Sequence, residues 1–273
     1  MRRGRRKNRE PGKSESRKNM NLESQTVLIT GSTDGVGRLV ARRLADQGAR
    51  VLVHGRDRLR GQRLVDDIEA AGHGSAAFLA ADFSSLAEVH RLAGAVRQEC
   101  ERLDILINNA GIGSGGSTGD RQVSQDGYEL RFAVNYLAGI LITRMLLPLI
   151  VLSKAARIVN VSSLGQHPID FDDVMLTRGY SGSRAYAQSK LAQIMFTFDL
   201  ARGTRSCGGH GKLPAPCYLH GNNYGAVERR HAAQHPRGRR GSDPQPCDLG
   251  RDRWAFWPIL QRAAAVEGKR TGL

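Results

Sequence analysis

At 273 residues and 40% hydrophobic content, the chain is long enough for one sizeable core. Its formal net charge of +15 sits at the two ends: residues 1–20 hold nine Lys/Arg against two acids and residues 202–273 thirteen against five, while 21–201 hold nineteen of each. The neutral middle shows no electrostatic footprint for nucleic acid. Four cysteines (Cys100, Cys207, Cys217, Cys247) make no C-x-x-C pair and no metal-ligand spacing, so no metal is expected and a reducing cytoplasm is. No apolar run reaches the ~18 residues of a membrane span. The longest, Ile140 to Leu152, carries Arg144 and Pro148 and predicts a buried helix.

Residues 1–19 are polar and charged and predict a disordered extension, or sequence upstream of a protein that begins at Met20. Val27 to Ile29 then reads as a buried strand running into TGSTDGVGR, Thr30 to Arg38. A helix follows whose apolar face is expected at Val36, Leu39, Val40 and Leu44. Strand, glycine turn and helix start suit a pyrophosphate: Gly31 turns the chain, Gly35 lets backbone approach the ligand, and Gly37 lets helix and strand pack. Ser32, Asp34 and Val36 share that loop, and the helix dipole faces the phosphates. The competing reading is a glycine-rich loop with no ligand, since the spacing departs from G-x-G-x-x-G.

Arg50 to His54 predicts a second strand and Leu59 to Ala71 a helix. At the end of that strand an acid would accept from a ribose 2′-hydroxyl, whereas an arginine accommodates a 2′-phosphate. Gly55 and Arg56 stand there, which favours NADP over NAD; a solvated loop cation is the alternative for Arg56. Ser75 to Ala80 reads as a third strand ending in Asp82 and Phe83, and Ser85 to Cys100 as a Ser-capped helix. Leu103 to Ile107 reads as the fourth strand, running into NNAG, Asn108 to Gly111. Val123 to Leu152 reads as one or two helices containing Asn135, and Arg157 to Ser163 as the fifth strand. This alternation predicts a doubly wound parallel α/β sheet, the Rossmann fold.

Tyr186 and Lys190 sit four apart on a predicted amphipathic helix continued by Leu191, Ile194, Met195 and Phe198, so they share a face. A phenol is a poor proton carrier at neutral pH unless a cation lies beside it, and a lysine at ~4 Å supplies that cation. Such a pair alone is usually a solvated helix surface; its company here argues otherwise. With TGSTDGVG, the Asp82–Phe83 step, NNAG, VNVSS and YAQSK in that order, Asn21 to about Ala201 resembles the short-chain dehydrogenase/reductase family, in its retinol-dehydrogenase-like branch.

The resemblance implies Tyr186 as acid/base, Lys190 as its partner and ribose ligand, Ser163 as the carbonyl-orienting serine and Asn135 in a proton relay. It places Asp82 and Phe83 near the adenine, and Asn109, Ala110 and Gly111 along the pocket wall. It implies hydride transfer between NADP, with NAD second, and a small alcohol or carbonyl, expected to be apolar; an oligomer is compatible. Ser162 rivals Ser163, and Asn135 has the alternative of capping buried backbone. The longer loop Gln166 to Arg184, with Pro168, Phe171, Met175 and Leu176, is the expected substrate wall.

After Ala201 the family's sixth and seventh strands are expected to be missing or non-native, because a Gly-, Pro-, His- and Arg-rich run replaces the alternation. Codons chosen for His210 to Gly225 and read one base later can spell TVNCLHPATYMETTM, which resembles the absent segment. The same offset on Asp243 to Ala263 can give a family-like C-terminal strand. Residues 204–273 therefore read as a frame-shifted, disordered tail or as a lineage-specific one. Because the C-terminal substrate region is lost, the alternative to an oxidoreductase is a catalytically impaired dinucleotide-binding or interaction protein.

Overall fold

The computed structural model describes residues 22–115, 120–206 and 217–221. Six strands and five helices alternate: β1 (Thr26–Ile29), α1 (Gly35–Ala45), β2 (Arg50–Gly55), α2 (Arg58–Ala71), β3 (Ser75–Ala80), α3 (Leu86–Glu99), β4 (Ile105–Asn108), α4 (Leu130–Ile150), β5 (Arg157–Ser163), α5 (Gly182–Ser206) and β6 (Cys217–Gly221). All strands run parallel in the order β3-β2-β1-β4-β5-β6. The order reverses direction between β1 and β4, the place where doubly wound sheets open a crevice at their C-terminal ends.

Strand periodicity splits the core between the two faces of the sheet. Val27, Ile29, Val51 and Val53 pack with Ala41, Ala45, Leu64 and Ile68 of α1 and α2. Leu28, Leu52, Leu106 and Ile158 point the other way, onto Val89, Leu92, Leu137, Ile142, Leu146 and Phe196 of α3, α4 and α5. Each fully buried branched side chain contributes ~1.5–3 kcal/mol. Asp34, Asp57 and Ser85 cap α1, α2 and α3 through side-chain oxygens.

Several expectations are corrected. The buried face of α1 is Gly37, Ala41 and Ala45, while Val36 and Leu39 are exposed, because small residues let the helix lie close on the sheet. Phe198 of α5 is also exposed. β4 starts two residues later than expected; just before it, the Asp104 carboxylate accepts from Thr26 N at 2.9 Å and from Ser153 Oγ. Val123 is not helical but bridges Glu129 across a turn at Gly127. α4 is long and apolar enough, by length and composition, to cross a membrane, and most of it is buried in the core.

Where the sixth strand is expected to be missing or non-native, the structure pairs β6 with β5 from Val159↔Cys217 to Ser163↔Gly221. Parallel pairing uses backbone groups alone, so an extended segment of almost any composition satisfies an open strand edge. Residues 204–206 continue α5, while the terminal extension, residues 207–216 and 222–273 and three of the four cysteine side chains lie outside the described residues.

Candidate active site

The turn between β1 and α1 is held from several sides. Gly31 and Gly35 adopt φ of 63° and 53°, which favours glycine at both. A side chain on Gly37 would meet Gly31 O at 2.3 Å and Asn109 Nδ2 at 2.6 Å, whereas one on Gly35 would meet nothing within 4 Å. The turn is therefore packed behind and open in front, as a pyrophosphate requires. Ser32 is fully buried, and its hydroxyl donates to Ile29 O at 2.8 Å. Asp34 accepts from Gly35 N at 2.7 Å and pairs with Arg60 of α2 at 2.8 Å, so its charge is partnered by the next helix.

Asn109 is a staple of this turn: Nδ2 donates to Thr30 O and Gly31 O at 3.0 and 2.8 Å. Ala110 N and Asn109 N both donate to Thr30 Oγ1 at 3.0 Å. Asp82 bends the chain after β3 by accepting from Ser84 N. The Phe83 ring is buried and stacks on His54 at 4.5 Å between centroids. Arg56 is exposed just past β2, and no hydrogen bond or ion pair reaches it among the described residues.

His54, which the sequence did not single out, joins these parts. Its Nδ1 accepts from Gly31 N at 3.1 Å and its Nε2 faces Ala81 O at 3.2 Å, which sets the Nε2–H tautomer. Burial pushes its pKa down to about 4, against smaller opposing effects of the Ala81 carbonyl and Asp82. The apolar strand pattern hid it as one more core position.

The four residues assigned to chemistry come together from α4, β5 and α5. Lys190 Nζ lies 5.9 Å from the Tyr186 ring centroid, over the ring rather than at ~4 Å. A buried ammonium needs acceptors, and this one donates to Val161 O at 2.8 Å and Gln193 Oε1 at 3.3 Å. Burial lowers its pKa to about 8. A side chain on Gly111 would sit 3.2 Å from Asn135 Oδ1 and 3.6 Å from Lys190 Nζ, and one on Gly165 would sit 3.6 Å from Ser163 Oγ and 4.0 Å from Tyr186 Cε1. Small residues thus keep the space between these groups clear.

The two serines separate. Ser162 is buried with its hydroxyl donating to Lys190 O at 3.0 Å, while Ser163 is half-buried on the Tyr186 side. The Asn135 side chain does cap buried backbone: Oδ1 accepts from Ile112 N at 2.8 Å, and Nδ2 donates to Ile112 O and Ser189 Oγ. Its main chain lies in a π turn, Ala133–Leu137, a widened helical turn frequent at functional sites. In the loop between β5 and α5, Leu176 is fully buried and Met175 packs on the core, which leaves Phe171 exposed as the apolar candidate for a substrate wall.

The sequence model of the family described as short chain dehydrogenase matches residues 25–208. Human retinol dehydrogenase 13 is 36% identical over 193 residues, covering 68% of this chain and 56% of that protein. Mouse retinol dehydrogenase 14 is 38% identical over 194 residues, covering 66% and 57%. The chain thus spans little more than half the length of these curated relatives. Among solved structures, a metagenomic short-chain oxidoreductase in complex with NADP aligns with a TM-score of 0.61 at 27% identity, over 75% of this chain and 85% of that one. The Pseudomonas aeruginosa RhlG/NADP complex aligns with a TM-score of 0.56 at 31% identity, over 68% and 69%. With the fold, the open glycine turn and two thirds of the sequence in agreement, the chain belongs to the short-chain dehydrogenase family.

Proposed function

We propose that this protein is an NADP-dependent oxidoreductase acting on an apolar alcohol or carbonyl compound. The observation that carries the reading is the convergence of Ser163, Tyr186, Lys190 and Asn135 at the C-terminal end of the sheet, with glycines at 111 and 165 leaving room between them. The dinucleotide, when bound, supplies or accepts the hydride. Tyr186 gives or takes the proton of the substrate oxygen, and Ser163 Oγ orients that oxygen. Lys190 supplies positive charge beside the phenol and donors to the nearby ribose. Asn135 holds the Ile112 loop in place and offers the π-turn backbone to a proton path.

Two features support NADP. Arg56 projects into solvent at the end of β2, where a 2′-phosphate would meet it. A side chain on Gly55 would strike Thr33 Oγ1 at 2.6 Å, so the acid that would select NAD could enter only by displacing Thr33. Two structural relatives are complexes with NADP, and the curated relatives are named for retinol, an apolar alcohol.

The test is NADPH and NADH oxidation with a panel of aliphatic aldehydes, alongside cofactor titration. We expect tighter binding of NADPH. Tyr186→Phe should lower kcat by roughly a hundredfold or more with cofactor affinity unchanged. Equal affinity for the two cofactors would reject the NADP assignment, and substantial turnover by the phenylalanine variant would reject Tyr186. Cofactor binding without turnover would favour the catalytically impaired reading.

A further inference from the structure

Resting on that reading, we infer that Arg131, Glu129 and Tyr180 form a buried latch that positions both loops bordering the substrate. Arg131 and Glu129 expose 7% and 1% of their side chains. The guanidinium uses its fork on three partners at once: Nε donates to Gly113 O at 2.9 Å, Nη2 to Ser114 O at 2.9 Å and Nη1 to Tyr180 Oη at 2.5 Å. Tyr180 Oη donates in turn to Glu129 Oε1 at 3.1 Å, and Glu129 Oε2 accepts from Phe132 N at 2.7 Å. Burying a cation costs free energy unless it is paired and hydrogen-bonded, and here both conditions are met by residues of three separate segments.

Those segments surround the candidate centre. Gly113 and Ser114 continue the stretch that carries Gly111. Arg131 lies one helical turn before Asn135, and Tyr180 two residues before α5, which carries Tyr186. A side chain on Gly182, the first residue of α5, would strike Ser114 O at 2.0 Å, so the loop after β4 sits directly on the start of the catalytic helix. The other end of the loop between β5 and α5 is tied to the same helix. Gln188 Nε2 donates to Val174 O at 2.7 Å, and Arg184 pairs with Asp170 at 2.9 Å. Between these ties Leu176 is held at φ 47°, a strained conformation for a branched residue that persists only where the surroundings over-determine it. The loop has no regular structure of its own, so its shape is imposed by these anchors.

The latch acts through position: Arg131 and Tyr180 touch neither the reacting atoms nor the cofactor turn. Tyr180→Phe keeps the ring and removes the hydroxyl that joins Arg131 to Glu129, and Arg131→Lys keeps the charge and loses the fork. In the intact chain we expect either substitution to speed hydrogen exchange in both 111–115 and 166–181, and to leave exchange in β1, β2 and the glycine turn unchanged. With decanal as probe, KM should rise about tenfold, the effect of one lost buried hydrogen bond, while NADPH affinity stays constant. Exchange that rises in one loop alone, or a rise in decanal KM accompanied by weaker NADPH binding, would overturn the latch. If the parent chain shows no turnover, that outcome bears on the proposed reaction, and the exchange pattern still decides the latch.

Discussion

Burial keeps the His54 imidazole neutral, and neutrality decides which bonds it makes. Nδ1 must keep its lone pair to accept from Gly31 N, so protonation breaks the link to the cofactor turn. The folded-state pKa of about 4 lies below the ordinary value of 6.5, so between those values the unfolded chain binds more protons. Stability is therefore full above about pH 6.5 and falls as the pH drops toward 4. His54→Phe keeps a ring against Phe83 and removes both hydrogen bonds. We expect it to flatten that pH slope in thermal melts and to weaken NADP about tenfold or more by calorimetry. An unchanged affinity would count against the link.

Lys190 shows the opposite balance, a buried charge kept at the expense of stability. Its pKa of about 8 lies below the ordinary 10.5, so stability rises with pH between those values and below 8 the folded chain carries the full cost. That cost is on the order of 3 kcal/mol. Lys190→Met should therefore melt no lower than the parent at pH 7, despite stranding the Val161 carbonyl, and should lose turnover and cofactor affinity. A clearly lower Tm would show that the ammonium's hydrogen bonds outweigh its desolvation.

At the scale of elements, the glycine turn works because α1 lies against it with no intervening atoms. Gly37→Ala must push Gly31 O or Asn109 Nδ2 aside, and both belong to the turn itself. Gly35→Ala meets open space and costs only the ~1–2 kcal/mol of a left-handed alanine. We expect Gly37→Ala to abolish NADP binding and lower Tm by several degrees, and Gly35→Ala to be milder in both. The reverse ranking in paired titrations and melts would refute this account of the turn. The sheet and its helices are also joined by a buried polar chain. Asn108 Nδ2 donates to Thr143 Oγ1 and Asn160 Oδ1, and Asn160 Nδ2 to Thr197 Oγ1, which ties α4 and α5 across β4 and β5. NNAG and VNVSS were visible as motifs, yet the pairing of their asparagines is a property of parallel register, Asn108↔Asn160.

At the scale of the molecule, the neutral stretch 21–201 coincides with the family match, which stops at residue 208, and the basic stretch 202–273 lies almost wholly beyond it. We propose that the later residues are read out of frame. Resequencing the codons for Ala201 to Gly211 tests this directly, and a frame-restored chain should melt well above the given one. A cooperative melt at the same temperature for both, with a protease-resistant tail, would show that the given tail has its own fold.

The sequence by itself determined the alternation of strands and helices in the doubly wound sheet, the glycine turn and the residues offered to catalysis. Each rests on a short-range pattern: alternating apolar residues, glycines beside a helix start, two polar groups one helical turn apart. Tertiary structure alone decided the rest. Val36 and Leu39 turned outward because close packing selects small residues on α1, and Ser163 parted from Ser162 because successive strand residues face opposite ways. His54 and Arg131 carried no local signature. Their partners lie on segments distant in the chain, at Gly31 and Ala81 for one and at Gly113, Ser114 and Tyr180 for the other, and only folding brings a donor to each acceptor.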